Sequence, residues 1–419
     1  MKPAAPLMSL EEALDRLVVG AQPCQIRETE TVALFDAPRR VLARPIHSLI
    51  DVPPGDNTSM DGYAVRVADV PQPGVRLQVA QRIPAGQVGR ALEPGTAARI
   101  FTGAQVPPGA DAVVMQELCE GIAGPGLGEV IVNTVPQAGQ WIRRRGEDVQ
   151  EGAVLLEAGT RLSPQALGLA ASVGCAAVVV RRRPRVALFS TGDELVMPGD
   201  VPPHQMRPGA IYNSNRYTLR GLLQAAGCDV TDWGIVPDRL DATRTALRDA
   251  AADHDLILTS GGVSVGEEDH IKPAVQAEGQ LDLWQLAIKP GKPLAFGSVR
   301  RDAAWPCLFV GLPGNPVSSF VTFLVAVAPL LRVLQGMEPQ PLKPQSWRAD
   351  FQWQKPDRRR EFLRARPNGE GGLALFPNQS SGVLTSAVWA EGLIDNPPGA
   401  TIERGQMVLF LPFADLLAA

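Results

Sequence analysis

Apolar and polar positions fall into three textures along the chain. Near the start, Ser9-Leu10-Glu11-Glu12 sets a hydroxyl cap and two carboxylates ahead of Leu14, Leu17 and Val18 at helical spacing, which predicts an amphipathic helix. From about residue 45 to 140 the apolar runs are short, at 75–80, 98–101, 112–116 and 129–133. Turn formers such as Glu93-Pro94-Gly95 and Val106-Pro107-Pro108-Gly109 separate them, the pattern of a small β-rich insertion. Ser163-Pro164 then opens a helix through Ala171, and Arg181-Arg182-Arg183-Pro184 marks a charged junction.

Beyond that junction the texture alternates regularly. Strands are expected at 186–190, 230–236, 256–259, 283–288 and 308–311, and helices at 214–227, 240–253, 269–279 and after Pro316. Such alternation predicts a doubly wound, mainly parallel sheet covered on both faces. After Gln335 short β runs return, at 348–354, 361–366, 373–376, 401–402 and 407–411, and predict a C-terminal β-barrel-like domain. The fold class is therefore α/β plus β, in several domains. Expected divisions are 1–45 with 147–183 as a discontinuous helical dimerisation and linker domain, 46–146 as the β insertion, 184–335 as the α/β domain and 336–419 as the last.

Composition narrows the function classes. A length of 419 residues fits several domains, and 45% hydrophobic with 20% charged residues excludes wholesale disorder. Forty Lys and Arg against 44 Asp and Glu give a net charge of −4, without the basic excess of a dedicated nucleic-acid binder. The five cysteines are scattered with no zinc spacing, as in a reducing cytoplasm, the expected location. The start lacks the features of a secretory signal. The apolar run 321–334, broken by Pro329 and Arg332, falls short of the roughly 20 residues that span a membrane.

Candidate chemistry gathers in loops after the α/β strands. These are Ser190-Thr191-Gly192-Asp193-Glu194, then Ser260-Gly261-Gly262-Val263-Ser264-Val265-Gly266, then Leu312-Pro313-Gly314-Asn315-Pro316. Ligands of open parallel sheets bind outside the carboxyl ends of the strands, where glycines let backbone N–H groups approach a phosphate. A single such loop is often only a turn; three at corresponding ends point to one crevice. Asp193, Glu194, Asp238, Glu267, Glu268 and Asp269 crowd the same region, a donor set suited to Mg²⁺ bound with substrate phosphates. Glu267 and Glu268 also suit the start of the next helix.

Lys289-Pro290-Gly291-Lys292 adds two ammonium groups on a proline-stiffened turn, and Arg143-Arg144-Arg145-Gly146-Glu147-Asp148 is a second possible anion clamp. Either is equally readable as a solvated surface. Asp56-Asn57-Thr58-Ser59-Met60-Asp61 reads as a polar turn at a domain boundary. The four histidines make no ligand pair, and neither GxSxG nor GxxxxGK[ST] occurs, which disfavours ordinary serine hydrolases and P-loop NTPases.

The ordered set DNTSMDGYAV, FTGAQVPPGADAVVMQE, IRRRGEDV, LFSTGDEL, IYNSN, SGGVSVGEEDHIK, AIKPGKP and GLPGNPVSS resembles the molybdopterin molybdotransferase family, MoeA and the E domain of gephyrin. The resemblance implies insertion of molybdate into adenylylated molybdopterin, with AMP release and Mg²⁺ dependence. It implies catalytic roles for Asp61, Thr102, Asp148, Glu194, Asp238, Asp269, Lys289 and Lys292, and metal ligation by Asp193, Glu194 and Asp269. Cofactor binding falls to Thr191, Gly192, Ser260, Gly261, Gly262, Ser264, Pro313, Gly314, Asn315 and Pro316, with Arg143 and Arg144. It further implies a homodimer in which Asp61, Thr102 and Asp148 act on the partner's crevice. Arg364 and Ser381 fit the family's C-terminal basic and hydroxyl positions only loosely. The α/β module also resembles molybdopterin adenylyltransferases, expected partners, and competence-damage-type nucleotide-processing proteins. Adenylylation of molybdopterin is thus one alternative activity, and a non-catalytic scaffold like the gephyrin E domain another. Cofactor-accepting molybdoenzymes are further expected partners.

Overall fold

A computed structural model of the chain describes residues 7–237, 239–262, 270–301 and 305–418. Its centre is a six-stranded sheet in the order Asp229–Val236, Arg185–Thr191, Leu256–Ser260, Cys307–Leu312, Pro293–Val299, Gly279–Gln285. The first four strands run parallel. The last two form an antiparallel hairpin against them. The sheet is therefore parallel at the crevice and reversed at its far edge. The sequence reading placed one strand at 283–288, because Pro290 and Gly291 drew the hairpin's second half into a loop.

Side-chain alternation divides the core. Val186 and Leu188 join the Leu10–Ala21, Ser214–Ala225 and Pro316–Leu334 helices on one face. Ala187 and Phe189 join Leu247, Ala250, Ile271 and Val275, from helices Leu240–Asp253 and Ile271–Glu278, on the other. With both faces covered, the strands tolerate near-continuous apolar runs. The first helix begins as its sequence dictates, with Ser9 Oγ accepting from Glu12 N–H at 3.0 Å. Pro316–Leu334 is long and apolar enough to cross a membrane, yet 89% of its apolar window is buried inside the protein. It is a core helix, turned at Phe323–Val327 by a π segment.

Ahead of this domain, Thr29–Ala33 pairs antiparallel with Ala177–Arg181 over a core of Leu34, Leu42, Leu162 and Val180. Between those strands the chain leaves to form a second six-stranded sheet, ordered Ala112–Met115, Gly62–Val65, Thr96–Ile100, Val75–Ile83, Glu129–Val132, Cys119–Ile122. Gly62 is required there, since a Cβ would lie 1.9 Å from the Val114 carbonyl oxygen.

The C-terminal sheet runs Ile288–Lys289, Arg360–Pro367, Gly392–Asn396, Met407–Pro412, Gln345–Arg348, with Leu373–Leu375 beside Arg360–Pro367. Its first strand comes from the lysine turn of the central domain and pairs in parallel, so the backbone itself stitches the two units together. The predicted strand at 348–354 is instead Gln345–Arg348 followed by single bridges at Ala349 and Trp353. The strand predicted at 401–402 is likewise a lone bridge, from Ile402 to Trp353.

Candidate active site

The strand order reverses between Arg185–Thr191 and Leu256–Ser260. One connection leads outward to Asp229–Val236, and the next crosses back. A crevice is expected at that switch point. A cleft of about 1140 Å³ opens there, lined by residues 191–192, 194–195, 211–215, 260–262, 289–293 and 313–316 and, from the C-terminal domain, Arg359 and 379–382.

Local backbone explains the glycines. Gly261 (φ +88°) and Gly262 (φ +65°) hold the left-handed region that side chains disfavour. A Cβ at Gly261 would lie 2.9 Å from the Thr191 carbonyl oxygen, and one at Gly262 2.6 Å from Ile271 Cγ1. The loop at 313–316 packs beside them in ordinary van der Waals contact, as a Cβ on Gly314 would stand 3.8 Å from Gly261 Cα. Asn215 Nδ2 ties the two sides by donating to the Gly314 carbonyl at 2.8 Å. Thr191 Oγ1 and Asn213 Nδ2, both buried, find no hydrogen-bond partner among the described residues. Buried polar groups are nearly always paired, so these two atoms in the cleft wall stand out.

The two lysines differ sharply. Lys289 Nζ sits 3.1 Å from Glu361 Oε1 and 3.2 Å from Asp357 Oδ2. Glu361 is buried, and its second oxygen accepts from Trp353 Nε1 at 2.9 Å and Asn396 Nδ2 at 3.3 Å. The Arg359 guanidinium, bonded to Asp357, holds that carboxyl well below the usual range. Lys289 is thus committed to its own protein, whereas Lys292 stands in the cleft wall without an ion pair among the described residues.

Among the acids, Glu194 lines the cleft, its carboxylate folded over Gly192, where a Cβ would lie 2.5 Å from Oε2. Asp193 does not line it; its carbonyl accepts from Arg207. Asp238, Ser264 and Asp269 lie outside the described residues. No cluster of three or more His, Cys, Asp or Glu forms among the described residues. One carboxylate beside a phosphate cradle still fits Mg²⁺, which keeps much of its shell for water and substrate phosphates.

None of the insertion-domain candidates lines this chain's own cleft. Asp61 Oδ1 accepts from both Thr102 N–H and Thr102 Oγ1 at 2.7 Å, bonds that hold its carboxyl below the ordinary value. Arg144 is paired with Asp56 at 2.7 Å. Arg143 sits on a short strand beside Asn57, and Asp148 is exposed. Arg364 is fully buried behind the cleft. It bonds Ser386 Oγ at 3.2 Å and the Phe362 carbonyl at 2.9 Å, and burial lowers its pKa to about 10. Ser381, on the loop that Arg364 props, does line the cleft. Sequence reasoning missed Arg359 and Gln379, which the C-terminal fold alone brings here. Asn213 and Asn215 stood in the IYNSN motif but received no role.

Comparisons with known proteins agree with this architecture. Residues 8–174 match the model of the MoeA N-terminal region (domain I and II), residues 187–333 that of a probable molybdopterin binding domain, and residues 347–413 that of the MoeA C-terminal region (domain IV). A molybdopterin molybdenumtransferase of Haemophilus influenzae is 43% identical over 330 residues, covering 78% of this chain and 75% of the relative. The chain belongs to the molybdopterin molybdenumtransferase family. Molybdopterin molybdenumtransferase 2 of Mycobacterium tuberculosis is 37% identical over 380 residues, 88% of this chain and 90% of the relative. A solved MoeA structure from Pyrococcus horikoshii OT3 superposes with a TM-score of 0.79 at 27% identity, covering 97% of this chain and 100% of that one. Membership in the molybdenumtransferase family extends through the C-terminal domain, so Arg359 and the 379–382 loop belong to a shared architecture.

Proposed function

We propose that this protein transfers molybdenum from molybdate to adenylylated molybdopterin, releasing AMP and yielding molybdenum cofactor, in a Mg²⁺-dependent reaction in the cytoplasm. The observation that carries this reading is the cleft at the strand switch point, where a glycine cradle, an unpaired lysine and a carboxylate meet in a protein of this family. The backbone N–H groups of Ser260 to Gly262 would receive the pterin phosphate, with Thr191 Oγ1 and Asn213 Nδ2 as further donors. Lys292 would attract molybdate as a point charge. Lys289, neutralised by Glu361 and Asp357, shapes the turn that presents Lys292.

Glu194, with Asp193 beside it in sequence and Asp269 from the stretch after the Leu256–Ser260 strand, would hold Mg²⁺, which when bound offsets negative charge on the pyrophosphate. Homodimerisation would bring Asp61, Thr102 and Asp148, with Arg143 and Arg144, to the partner's cleft, which explains why they stand away from their own.

Single-turnover conversion of adenylylated molybdopterin, with AMP release followed with and without molybdate and Mg²⁺, tests the reading. Release that needs both ions supports it. Adenylylation of molybdopterin from ATP without such release would make this an adenylyltransferase, and no reaction in either assay would leave a scaffold.

A further inference from the structure

A second cavity, of about 770 Å³, lies where residues 158–161, the Pro316–Leu334 helix and residues 411–416 meet. Its size falls within the range of small-molecule pockets. Leu324, Met337, Leu411 and Leu416 give it an apolar lining, and all four are buried. Arg332 interrupts that lining. It is only 9% exposed, and its Nε has no hydrogen-bond partner among the described residues. Burial pushes its pKa below the ordinary arginine value, with no acid countering the effect among the described residues.

Two acids share the cavity wall. Asp415 already accepts from Gln345 Nε2 at 3.1 Å, and neither it nor Glu338 forms an ion pair with Arg332. Two further cations, Arg161 and Lys343, stand in the same wall; Arg161 donates to the Ala225 carbonyl at 3.0 Å, and the like charge of Arg332 is one of the influences that lower its pKa. A buried guanidinium without a counter-ion is costly, and one beside another cation more so. An anion entering the cavity would offset that cost, while the leucines and Met337 would receive an apolar body.

We propose that this cavity binds a small amphiphilic oxyanion, a phosphate monoester or carboxylate carried on an apolar body, with Arg332 as its counter-ion. The site is separate from the cleft at the strand switch point and does not depend on the reading of that cleft. Calorimetric titration of the full-length protein with phenyl phosphate, and separately with 3-phenylpropionate, tests it. At least one of the two is expected to bind saturably, and the tighter one names the head group.

Arg332→Met should weaken that binding by at least about tenfold. The same variant should have a higher Tm than the parent without ligand, because a matched apolar side chain replaces an unpaired buried charge. The bound anion should raise the Tm of the parent but not of this variant. Thr160→Trp, which narrows the cavity and leaves Arg332 in place, should also weaken binding. Absence of binding to the parent protein, as when a second copy of the chain fills the cavity, would overturn the proposal. So would equal binding by Arg332→Met, or inorganic phosphate binding as tightly as phenyl phosphate.

Discussion

Lys289 and Lys292 share one turn, yet their surroundings give them opposite tasks. Glu361 receives Lys289, Trp353 and Asn396 together, so it fixes the turn from beneath. Glu361→Gln should cost about 1–2 kcal/mol of stability, since a buried carboxylate with three hydrogen-bond donors is lost while half-exposed Lys289 keeps Asp357, and it should lower molybdate-dependent AMP release. Chemical denaturation alongside the turnover assay checks both. Asp61 is held differently, chiefly by the Thr102 backbone N–H and then by its hydroxyl. Its folded pKa lies below the ordinary 3.8, so the stability it contributes is present above that value and is lost as pH falls through the lowered one. Thr102→Val removes one of the two bonds, and the Asp61 pKa should move part of the way back up, as read by carboxyl NMR titration. At this scale the sequence displayed residue types well and pairings poorly. Nothing in Ile288-Lys289-Pro290-Gly291-Lys292 shows which ammonium is neutralised, because both counter-charges arrive from beyond residue 350.

The glycine turns are legible as elements and testable as such. Gly261→Ala would force a side chain into φ +88° against the Thr191 carbonyl, a strain of about 1–3 kcal/mol. A lowered denaturation midpoint with weaker substrate binding is the expected outcome. Strand-helix alternation disclosed the parallel half of the central sheet because three of its four strands, Arg185–Thr191, Leu256–Ser260 and Cys307–Leu312, are buried on both faces and end in loops with their own turn chemistry. The antiparallel hairpin was harder to read, since Lys289 to Pro293 looks like a loop whether or not strands flank it. Gly392–Asn396 was missed for another reason. Its last residues, Asp395 and Asn396, are polar yet buried, and Arg360 and Glu361 of the adjacent strand satisfy them.

Across the whole molecule, the insertion-domain candidates and the cleft residues occupy different places in one chain. If the partner's Asp61 completes each cleft, co-expression of Asp61→Asn with Glu194→Gln should restore activity that neither variant has alone. Random pairing yields one intact site in half of the dimers, so roughly a quarter of parental activity is expected. Activity no higher than that of either variant would place both residues in one subunit's site. No reading of spacing along a chain could have located this meeting, because it would form between chains.

The pairing of Thr29–Ala33 with Ala177–Arg181 also orders events in time. During synthesis Thr29 emerges long before Arg181, a wait on the order of ten seconds at ordinary elongation rates. The Gly62–Val132 sheet leaves the ribosome entirely within that interval, and all of its strand partners lie inside it. Nascent chains arrested just before Ala177, with the last few dozen residues still in the exit tunnel, should therefore already protect that sheet from protease while Thr29–Ala33 remains cleavable. The first strand made would be among the later ones to be secured.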